Sequence, residues 1–261
     1  MFIKELGVLM RKIEVIGLYY DREIKRGDDI GRIIIEVAKR IGVEISDGDI
    51  IVVTHKVVSK AEGRVVNLNK IRPSRKAVEI AKVVNKDPRL VELILREAKE
   101  ILKIGNGHII TLTRHGIVCA NAGIDRSNAG GEGNVVLLPE NPDESAKRIR
   151  KTIKEVLGVD VAVIITDTYG RPFRMGVINL AIGFSGINPY RDYRNKPDRN
   201  GYIMRVTRVT IVDEVASAAE LVIGQGAENT PFAIVKGIDY EKCEECGFKD
   251  IYMPKEKWLF K

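Results

Sequence analysis

One short stretch of the sequence brings an acidic side chain, a hydroxyl group and two arginines together just after a hydrophobic segment. Residues 159–166 are rich in valine and isoleucine, and Asp167, Thr168, Arg171 and Arg174 follow. A carboxylate beside a hydroxyl suits a hard divalent cation, and paired arginines suit phosphate groups. The same residues also fit a capping turn ahead of a proline, so this stretch alone leaves a ligand site and an ordinary turn as equal alternatives.

Polar side chains also follow hydrophobic segments in three other parts of the chain. They are His55, Lys56 and Lys60 after residues 50–54, then Asp125, Ser127 and Asn128 in a glycine-rich loop, and Gln225, the only glutamine, between Gly224 and Gly226. Lys60 suits an anionic ligand as a point charge, although most lysines are simply solvated. Glycine lets backbone amide groups approach a ligand, although Asn, Asp and Gly also build plain turns. Each segment therefore admits a functional and a purely structural interpretation.

The oxygen donors at these positions together fit a divalent cation that is shared with nucleotide phosphates. Asp125, Asp167, Thr168 and Gln225 offer carboxylate, hydroxyl and amide oxygens, which are the hard ligands that Mg²⁺ and Mn²⁺ bind. A pair of such ions bridging a triphosphate would neutralise charge that develops during phosphoryl transfer. The sequence therefore favours phosphoryl-transfer chemistry, assisted by the neighbouring lysine and arginine side chains.

Several better-known nucleotide and catalytic motifs are absent from the sequence. There is no Gly-Lys-Ser or Gly-Lys-Thr, so a P-loop is excluded, and residues 195–198 imitate a guanine-reading motif by coincidence. Residues 224–229 lack the third glycine of the dinucleotide fingerprint and follow a predicted helix rather than a strand. No G-x-S-x-G or H-E-x-x-H motif occurs, and the few histidines are scattered. The predicted fold is neither a P-loop nor a Rossmann fold.

The elements that must position these residues alternate between strands and amphipathic helices. Hydrophobic patterning predicts strands near 10–15 and at 50–54, 108–112, 116–120, 159–166, 203–212 and 232–236, and helices at 30–41, 74–84, 88–103, 143–157 and 213–222. The Asp87-Pro88 pair is a typical helix start. This pattern predicts a mixed α/β (α+β) fold, softly divided into a nucleotide-binding unit at 10–87 plus 188–261 and an inserted metal and substrate unit at 88–187.

Length, composition and charge describe an ordinary soluble protein. The 261 residues carry a net charge of +7 with both signs interspersed, so no basic tract indicates nucleic-acid binding. No apolar run is long enough for a membrane span, and residues 1–9 read as a leader without the core of a signal peptide. Cys243 and Cys246 lack a second metal-binding pair, which favours a surface hairpin or a local disulfide over zinc. We expect a cytoplasmic protein.

Three long motifs together resemble the coenzyme F420-0:γ-glutamyl ligase family. They lie at residues 57–64 (VVSKAEGR), 121–128 (NAGIDRSN) and 164–174 (IITDTYGRPFR), within a match that covers about residues 10–237. The resemblance implies the mixed α/β fold of that family, built from two interlocked units, and a homodimer. It also implies a ligase in which GTP phosphorylates the free carboxylate of F420-0 and L-glutamate then attacks the acyl phosphate, first in an amide and then in a γ-glutamyl linkage. Mn²⁺ or Mg²⁺, with K⁺ as a stimulating ion, is implied as well.

The resemblance further implies roles for individual residues of this sequence. It implies metal ligands at Asp125, Asp167, Thr168 and Gln225, and GTP contacts at Asp21, Arg22, Glu23, Ile24, His55, Lys56, Lys60, Asn128, Ile223, Gly224, Gln225, Gly226, Ala227, Glu228, Asn229 and Thr230. Gln225 stands where relatives can carry Glu, which would weaken or retune one metal, and residues 21–24 are less regular than the family pattern. Charge alone adds Arg171 and Arg174 to Asp167 as catalytic candidates, as binders of the phosphodiester of the substrate.

A hypothesis from another class retains the same pocket but not the ligase. A nucleotide- or flavin-like cofactor-binding protein would share the cavity, whereas only the ligase requires metal ligands directed at the γ-phosphate of GTP. A metal phosphohydrolase would require a base that positions water, and the scattered histidines offer no such cluster. The sequence therefore favours the ligase and leaves the binding protein as its main alternative.

Overall fold

The computed structural model describes residues 11–259, and the leader predicted at residues 1–9 lies outside them. The strands are β1 Glu14–Leu18, β2 Ile50–Thr54, β3 Val65–Asn67, β4 Ala98–Gly105, β5 His108–Thr113, β6 Val118–Ala120, β7 Asn134–Val136, β8 Ala162–Arg171, β9 Arg174–Ser185, β10 Tyr190–Asp192, β11 Arg208–Thr210 and β12 Phe232–Lys236. The α-helices are α1 Ile30–Arg40, α2 His55–Ala61, α3 Arg75–Val84, α4 Pro88–Glu97, α5 Pro142–Leu157 and α6 Ile211–Ile223. The fold is the mixed α/β arrangement in several sheets that the sequence predicts.

A five-stranded sheet with the order β1-β12-β2-β8-β9 forms the centre of the molecule. Only β2 and β8 run parallel within it, with Ile50 opposite Ala162 and Thr54 opposite Thr166. Because the carboxyl ends of parallel strands lie at the same edge of a sheet, the residues that follow β2 and β8 are brought together there. This edge is where the sequence places its polar side chains.

Helices cover both faces of this sheet, and alternate residues of its strands point to opposite faces. On one face Ile51 and Ile165 pack in a cluster with α1 and α5, and on the other Val52 and Ile164 pack in a cluster with α6. Fully burying each such side chain contributes about 1.5–3 kcal/mol to stability. The continuous valine and isoleucine runs of β2 and β8 are thus explained by burial on both sides.

A smaller layer packs beside the main sheet. Strands β4, β5 and β6 form an antiparallel sheet, and α3 and α4 share a third hydrophobic core with it. Asp87 caps α4 by accepting a hydrogen bond from the Arg89 amide, and Pro88 occupies its first turn, as the sequence predicts. Strand β2 belongs to the predicted nucleotide-binding unit and β8 to the predicted inserted unit, and the two strands pair within one sheet. The division into two units stays a prediction.

Two predicted elements are wrong in their extent. The helix predicted at 88–103 ends at Glu97, because residues 98–105 pair with β5 as a strand. The strand predicted at 203–212 is restricted to Arg208–Thr210, and α6 begins directly after it at Ile211, ahead of the predicted helix start at residue 213. Residues 98–105 become a strand because they pair in a hairpin with β5, and this pairing is not encoded in their own hydrophobic pattern.

Residues 237–259, which follow β12, pack against helix α5. Cys243 and Cys246 form a disulfide, so the predicted local disulfide is confirmed. Glu244 forms an ion pair with the largely buried Arg150, and the Phe248 amide donates a hydrogen bond to the Asp143 carboxylate on α5.

None of the helices within residues 11–259 combines the length and apolar character that a bilayer span requires.

Candidate active site

A cavity opens at the carboxyl ends of β2 and β8, where the sequence-predicted site residues converge. Those that line it are Arg22, Glu23, Ile24, His55, Lys56, Lys60, Asn128, Asp167, Thr168, Ile223, Gly224, Gln225, Gly226, Glu228, Asn229 and Thr230. Its walls also include Tyr20, Thr54, Val57, Thr166, Asn179 and Pro231, which the sequence does not single out. Six separate stretches of the chain therefore meet in one concave site, although no sequence motif spans them.

His55 begins α2 immediately after β2, and this junction fixes its position. The imidazole is buried, with 3% of the side chain exposed, and neither ring nitrogen has a hydrogen-bond partner among residues 11–259. Its Nε2 atom lies 3.3 Å from Oδ1 of Asp167 across the parallel strand pair. Leaving a buried polar group without a hydrogen bond costs about 1–3 kcal/mol, and for Nε2 the contact with the Asp167 carboxylate offsets part of that cost.

Asp167 and Thr168 lie within a strand, whereas the sequence predicts that the strand ends just before them. β8 continues to Arg171 and forms a long hairpin with β9, so this part of the strand prediction is wrong. The Asp167 carboxylate accepts a hydrogen bond of 2.7 Å from the Thr168 amide. The Thr166 hydroxyl is buried, and no hydrogen-bond partner for it occurs in the described part of the chain. A rigid sheet thus holds the candidate ligands, which a flexible turn would not.

Three side-chain oxygens crowd together beside Asp167. The Thr168 hydroxyl lies 3.0 Å from Oδ1 of Asn179 and 3.1 Å from Oε1 of Gln225. A hydroxyl has one proton, so it can donate to only one of these two acceptors at a time. The hydroxyl and the two amide oxygens meet in the cavity that the Asp167 carboxylate also lines, and these are oxygen types that a hard divalent cation binds. The residues present therefore fit the predicted metal.

The orientation of the Gln225 amide is set by its neighbours. Its Nε2 group donates to Oε1 of Glu220 at 2.5 Å and to Oδ1 of Asn179 at 3.2 Å. The Glu220 carboxylate also accepts a hydrogen bond from the backbone amide of Asn179 at 2.8 Å. With both amide hydrogens directed at acceptors, the Gln225 oxygen faces Thr168. A glutamine is therefore understandable at this position, because a second carboxylate next to Glu220 would meet like-charge repulsion.

Asp125, a predicted metal ligand, does not line the cavity but contacts a lysine that does. Its Oδ2 atom lies 2.7 Å from the Lys56 ammonium, and its Oδ1 atom accepts hydrogen bonds from the Ser127 amide and hydroxyl. Burial alone would raise the pKa of Asp125, but the hydrogen bonds from Lys56 and Ser127 outweigh it and hold the pKa below its ordinary value. Among the described residues, no three His, Cys, Asp or Glu side chains gather as a metal cluster. Metal ligation by Asp125 stays a prediction.

The lysines of the cavity are each held by a carboxylate. Lys60 pairs with Glu23 at 2.6 Å, and its side chain is only 11% exposed. Together with Lys56 it gives one wall of the cavity two ammonium groups whose present partners are carboxylates. An anionic ligand such as a phosphate can replace these partners without leaving the lysines unpaired.

The loop that follows α6 forms another wall. Gly224 ends the helix with φ of +72°, and a side chain there would collide with Glu228. Glu228 in turn accepts a hydrogen bond from the Gly226 amide at 2.7 Å, and Asn128 donates to the Gly226 carbonyl. Glycine is thus needed at 224 for backbone conformation and close packing, not only for a helix end.

Besides Asp125, four predicted site residues lie outside the cavity walls: Asp21, Ala227, Arg171 and Arg174. Asp21 and Ala227 are sequence neighbours of lining residues. Arg171 and Arg174 are at the far end of the β8–β9 hairpin, where the Arg171 guanidinium donates to the Met175 carbonyl. Their proposed contact with a substrate phosphodiester stays a prediction.

Comparison with known proteins gives a consistent result. A family model described as F420-0:Gamma-glutamyl ligase matches residues 21–237. Three similar proteins are each named coenzyme F420:L-glutamate ligase. The one from Methanopyrus kandleri is 47% identical over 90% of this chain and 90% of its own length. Those from Methanothermobacter thermautotrophicus and Methanocaldococcus jannaschii are 43% and 44% identical, over 95% and 96% of this chain and 99% and 98% of their own.

Proposed function

Because the chain belongs to the F420-0:gamma-glutamyl ligase family, we propose that it joins L-glutamate to coenzyme F420-0 in the biosynthesis of coenzyme F420, using GTP and a divalent cation. The family membership confirms the resemblance seen in the sequence and supports a ligase. The use of GTP, the acyl-phosphate route and the metal are parts of the proposal.

The observation that carries the proposal is the crowding of acceptor oxygens beside two lysines in one cavity. Thr168, Asn179 and Gln225 direct oxygens at one another next to the Asp167 carboxylate, and Lys56 and Lys60 lie in the same cavity. Without a cation, the Thr168 hydroxyl and the Gln225 Nε2 group donate hydrogen bonds to these amide oxygens, and a hard cation is a further partner that the same oxygens can bind. A ligase that activates a carboxylate with a nucleoside triphosphate needs both a cation and phosphate-binding ammonium groups.

The chemistry proceeds in two balanced steps. An oxygen of the F420-0 carboxylate attacks the γ-phosphorus of GTP, a P–O bond breaks, and GDP leaves with formation of an acyl phosphate. The amine of L-glutamate then attacks the acyl carbon, an amide bond forms, phosphate leaves, and the amine loses a proton. A second glutamate is added by the same steps through the γ-carboxylate of the first.

Individual residues of the chain have distinct roles in this proposal. Asp167, Thr168 and Gln225 hold the cation, Mn²⁺ or Mg²⁺, with Asp125 as a further ligand once Lys56 moves to a phosphate. The bound cation supplies charge neutralisation at the phosphoryl group during transfer. Lys56 and Lys60 exchange their carboxylate partners for phosphate oxygens, which brings the nucleotide into register with the cation ligands.

Other parts of the proposal rest on the family resemblance. They are the preference for guanine, a pair of metal ions, stimulation by K⁺ and the homodimer. The cytoplasmic location and the absence of nucleic-acid and membrane partners are proposed from the charge pattern and apolar runs of the sequence. The residues proposed to surround GTP are those of segments 21–24 and 223–230 with His55, Lys56, Lys60 and Asn128, most of which line the cavity.

The deciding experiment is a glutamylation assay. The protein is incubated with F420-0, L-glutamate, GTP and MnCl₂, and the coenzyme is analysed by mass spectrometry. We expect increments of one glutamate residue, which disappear when GTP is omitted or when EDTA is added, together with release of GDP. If the protein binds F420-0 or GTP but produces no increment, the cofactor-binding alternative replaces the ligase.

A further inference from the structure

A second cavity lies beside the edge strand β9 of the main sheet, and four aromatic side chains contribute to its walls. Tyr169, Phe248, Tyr252 and Trp258 line it, and Asp213 of α6 contributes a carboxylate. We call it the aromatic cavity. All four aromatic side chains are only half-buried, so ring faces and edges remain available to a ligand. Clefts of this composition, with a few polar groups among aromatic walls, are typical of sites for planar organic molecules.

The chain end builds three of these four aromatic walls and is fixed in place. The Phe248 amide donates a hydrogen bond to Asp143, and the Tyr252 amide donates to the Phe248 carbonyl at 3.0 Å. The Trp258 indole N–H donates to the Met253 carbonyl at 2.8 Å. Pre-organised aromatic walls lose little conformational entropy when a ligand binds, which favours a binding role over accidental exposure. All three residues lie beyond residue 237, where the family model ends.

The polar groups of the aromatic cavity suit one edge of a heterocycle. Oδ1 of Asp213 accepts a hydrogen bond from the Ala181 amide at 3.0 Å, which leaves its other oxygen as an acceptor. Thr210 offers a hydroxyl in the same cavity, and Tyr169 offers a phenol. The pyrimidine edge of a flavin-type ring presents an N–H between two carbonyl groups, and it needs an acceptor flanked by donors.

The aromatic cavity lies one strand away from the candidate active site. Its wall includes Leu180 and Ala181 of β9, whose partners on β8 are Asp167 and Thr166. Neighbouring strands of a sheet are about 4.8 Å apart. Residues of the two cavities are thus paired across β8 and β9, and a substrate that uses both cavities would have to extend across this strand pair.

We propose that the aromatic cavity binds the fused deazaflavin ring of the coenzyme that accepts glutamate, while its carboxylate end reaches the cation ligands around Asp167. This inference rests on the proposed ligase function and adds to it the residues that recognise the acceptor. The ring stacks on the tail aromatics, and Asp213 accepts its N–H. GTP binds in the cavity at the carboxyl ends of β2 and β8. The two substrates therefore occupy two different cavities on the β8–β9 strand pair.

Binding of F420-0 to the full-length protein, without GTP or glutamate, tests this proposal. The coenzyme is itself fluorescent, so its anisotropy reports the dissociation constant directly. Tyr252→Ala should weaken binding about ten-fold, because base–aromatic and aromatic pair contacts have energies of this order. Tyr252→Phe keeps the stacking face and should bind as the unchanged protein does. Tyr202→Ala is the matched control, since Tyr202 is 65% exposed and lines neither cavity.

A second variant guards against a loss of folding. Trp258→Ala removes another aromatic side chain from the wall of the aromatic cavity. It should weaken F420-0 binding several-fold and leave the thermal midpoint unchanged. In the glutamylation assay both alanine variants should raise the KM for F420-0 and leave the KM for GTP unchanged.

Three outcomes separate the possibilities. Weaker F420-0 binding in folded Tyr252→Ala and Trp258→Ala, with Tyr202→Ala unaffected, supports the proposal. If the unchanged protein glutamylates F420-0 and both variants bind it equally well, the aromatic cavity is not the ring site, and the ligase function stands. If the unchanged protein neither binds nor glutamylates F420-0, the proposed function and this inference are both overturned.

Discussion

The two ends of strands β2 and β8 carry charged and polar groups in very different states. At the amino ends, Asp49 pairs with Lys236 at 2.5 Å, and Asp160 pairs with Arg150 and Lys242 at 2.6 and 2.7 Å. At the carboxyl ends, within residues 11–259, the Thr166 hydroxyl and the His55 ring nitrogens are buried without a hydrogen bond, although Nε2 of His55 lies 3.3 Å from the Asp167 carboxylate. The two lysines at this end, Lys56 and Lys60, do pair with carboxylates.

This difference separates stabilising polar groups from functional ones. Paired and hydrogen-bonded charges close the amino end of the sheet and fasten the chain end through Arg150 and Glu244. The carboxyl end instead keeps unsatisfied polar atoms and crowded acceptor oxygens, which costs folding free energy. A protein retains such a cost where a ligand later satisfies these groups, and that end of the sheet is the proposed site of catalysis.

The largest effect should come from removing the charge of Asp167 at the carboxyl end. Asp167→Asn keeps the size of the side chain and one oxygen that can accept the hydrogen bond from the Thr168 backbone amide. It should lower glutamylation by a factor on the order of a thousand, because a cation ligand acts directly on the transferred phosphoryl group. The thermal midpoint should stay within a few degrees. Activity near that of the unchanged protein would remove Asp167 from the catalytic site.

At the amino end, Arg150→Ala should affect stability rather than chemistry. The Arg150 side chain is 9% exposed and binds Asp160, Glu244 and the Val161 carbonyl. Its loss removes this donor from the Val161 carbonyl, whereas Asp160 keeps Lys242 and Glu244 is 65% exposed. We therefore expect a cost of about 1–3 kcal/mol, seen as a lower midpoint in urea unfolding. Lys151→Ala, on the same helix but 75% exposed, is the control and should change stability by less than about 0.5 kcal/mol. Equal effects of the two variants would contradict the distinction between the ends.

A double-mutant cycle between Gln225 and Glu220 tests why the site carries a glutamine. Gln225→Glu places a second carboxylate beside Glu220, where Nε2 now donates at 2.5 Å, and should destabilise the metal-free protein by about 1 kcal/mol. Adding Glu220→Gln should restore most of that loss, because the pair again contains one charge. Thermal unfolding in EDTA measures the coupling. Additive effects would show that the two side chains do not interact.

The smallest effect concerns acid stability at the amino end. The Lys242 hydrogen bond, together with Arg150, holds the pKa of Asp160 below its ordinary value of 3.8. The stabilisation by this lowered pKa is complete above pH 3.8 and is lost as the pH falls through the folded pKa. Thermal midpoints measured from pH 5 downward should therefore fall less steeply in Asp160→Asn than in the unchanged protein. Parallel curves would contradict the assignment.

The sequence predicts the main strands well because each carries its own signal. The valine and isoleucine runs of β2, β8 and β12 indicate burial without knowledge of the partner strand. By contrast, β4 continues a helical pattern, and only its pairing with β5 makes it a strand.

In the candidate site, too, contacts between distant parts of the chain could not be predicted from the sequence. Its motif residues are visible in the sequence, whereas Asn179 and Glu220 are not. Asn179 reaches Thr168 because the β8–β9 register places the two residues opposite each other. Glu220 reaches Gln225 because α6 ends just before the loop that carries it. Both contacts depend on three-dimensional register, for which an Asn in a strand and a Glu in a helix give no local signal.

The central claim is that the carboxyl ends of β2 and β8 bind the catalytic cation together with the nucleotide. Anomalous scattering from Mn²⁺ in crystals grown with a non-hydrolysable GTP analogue tests it most directly. We predict a manganese peak at coordination distance from the Asp167 carboxylate and the Thr168 hydroxyl, next to the analogue's phosphates, and no such peak in Asp167→Asn crystals. Manganese bound elsewhere, with Asp167 still facing His55 and no metal, would contradict the account.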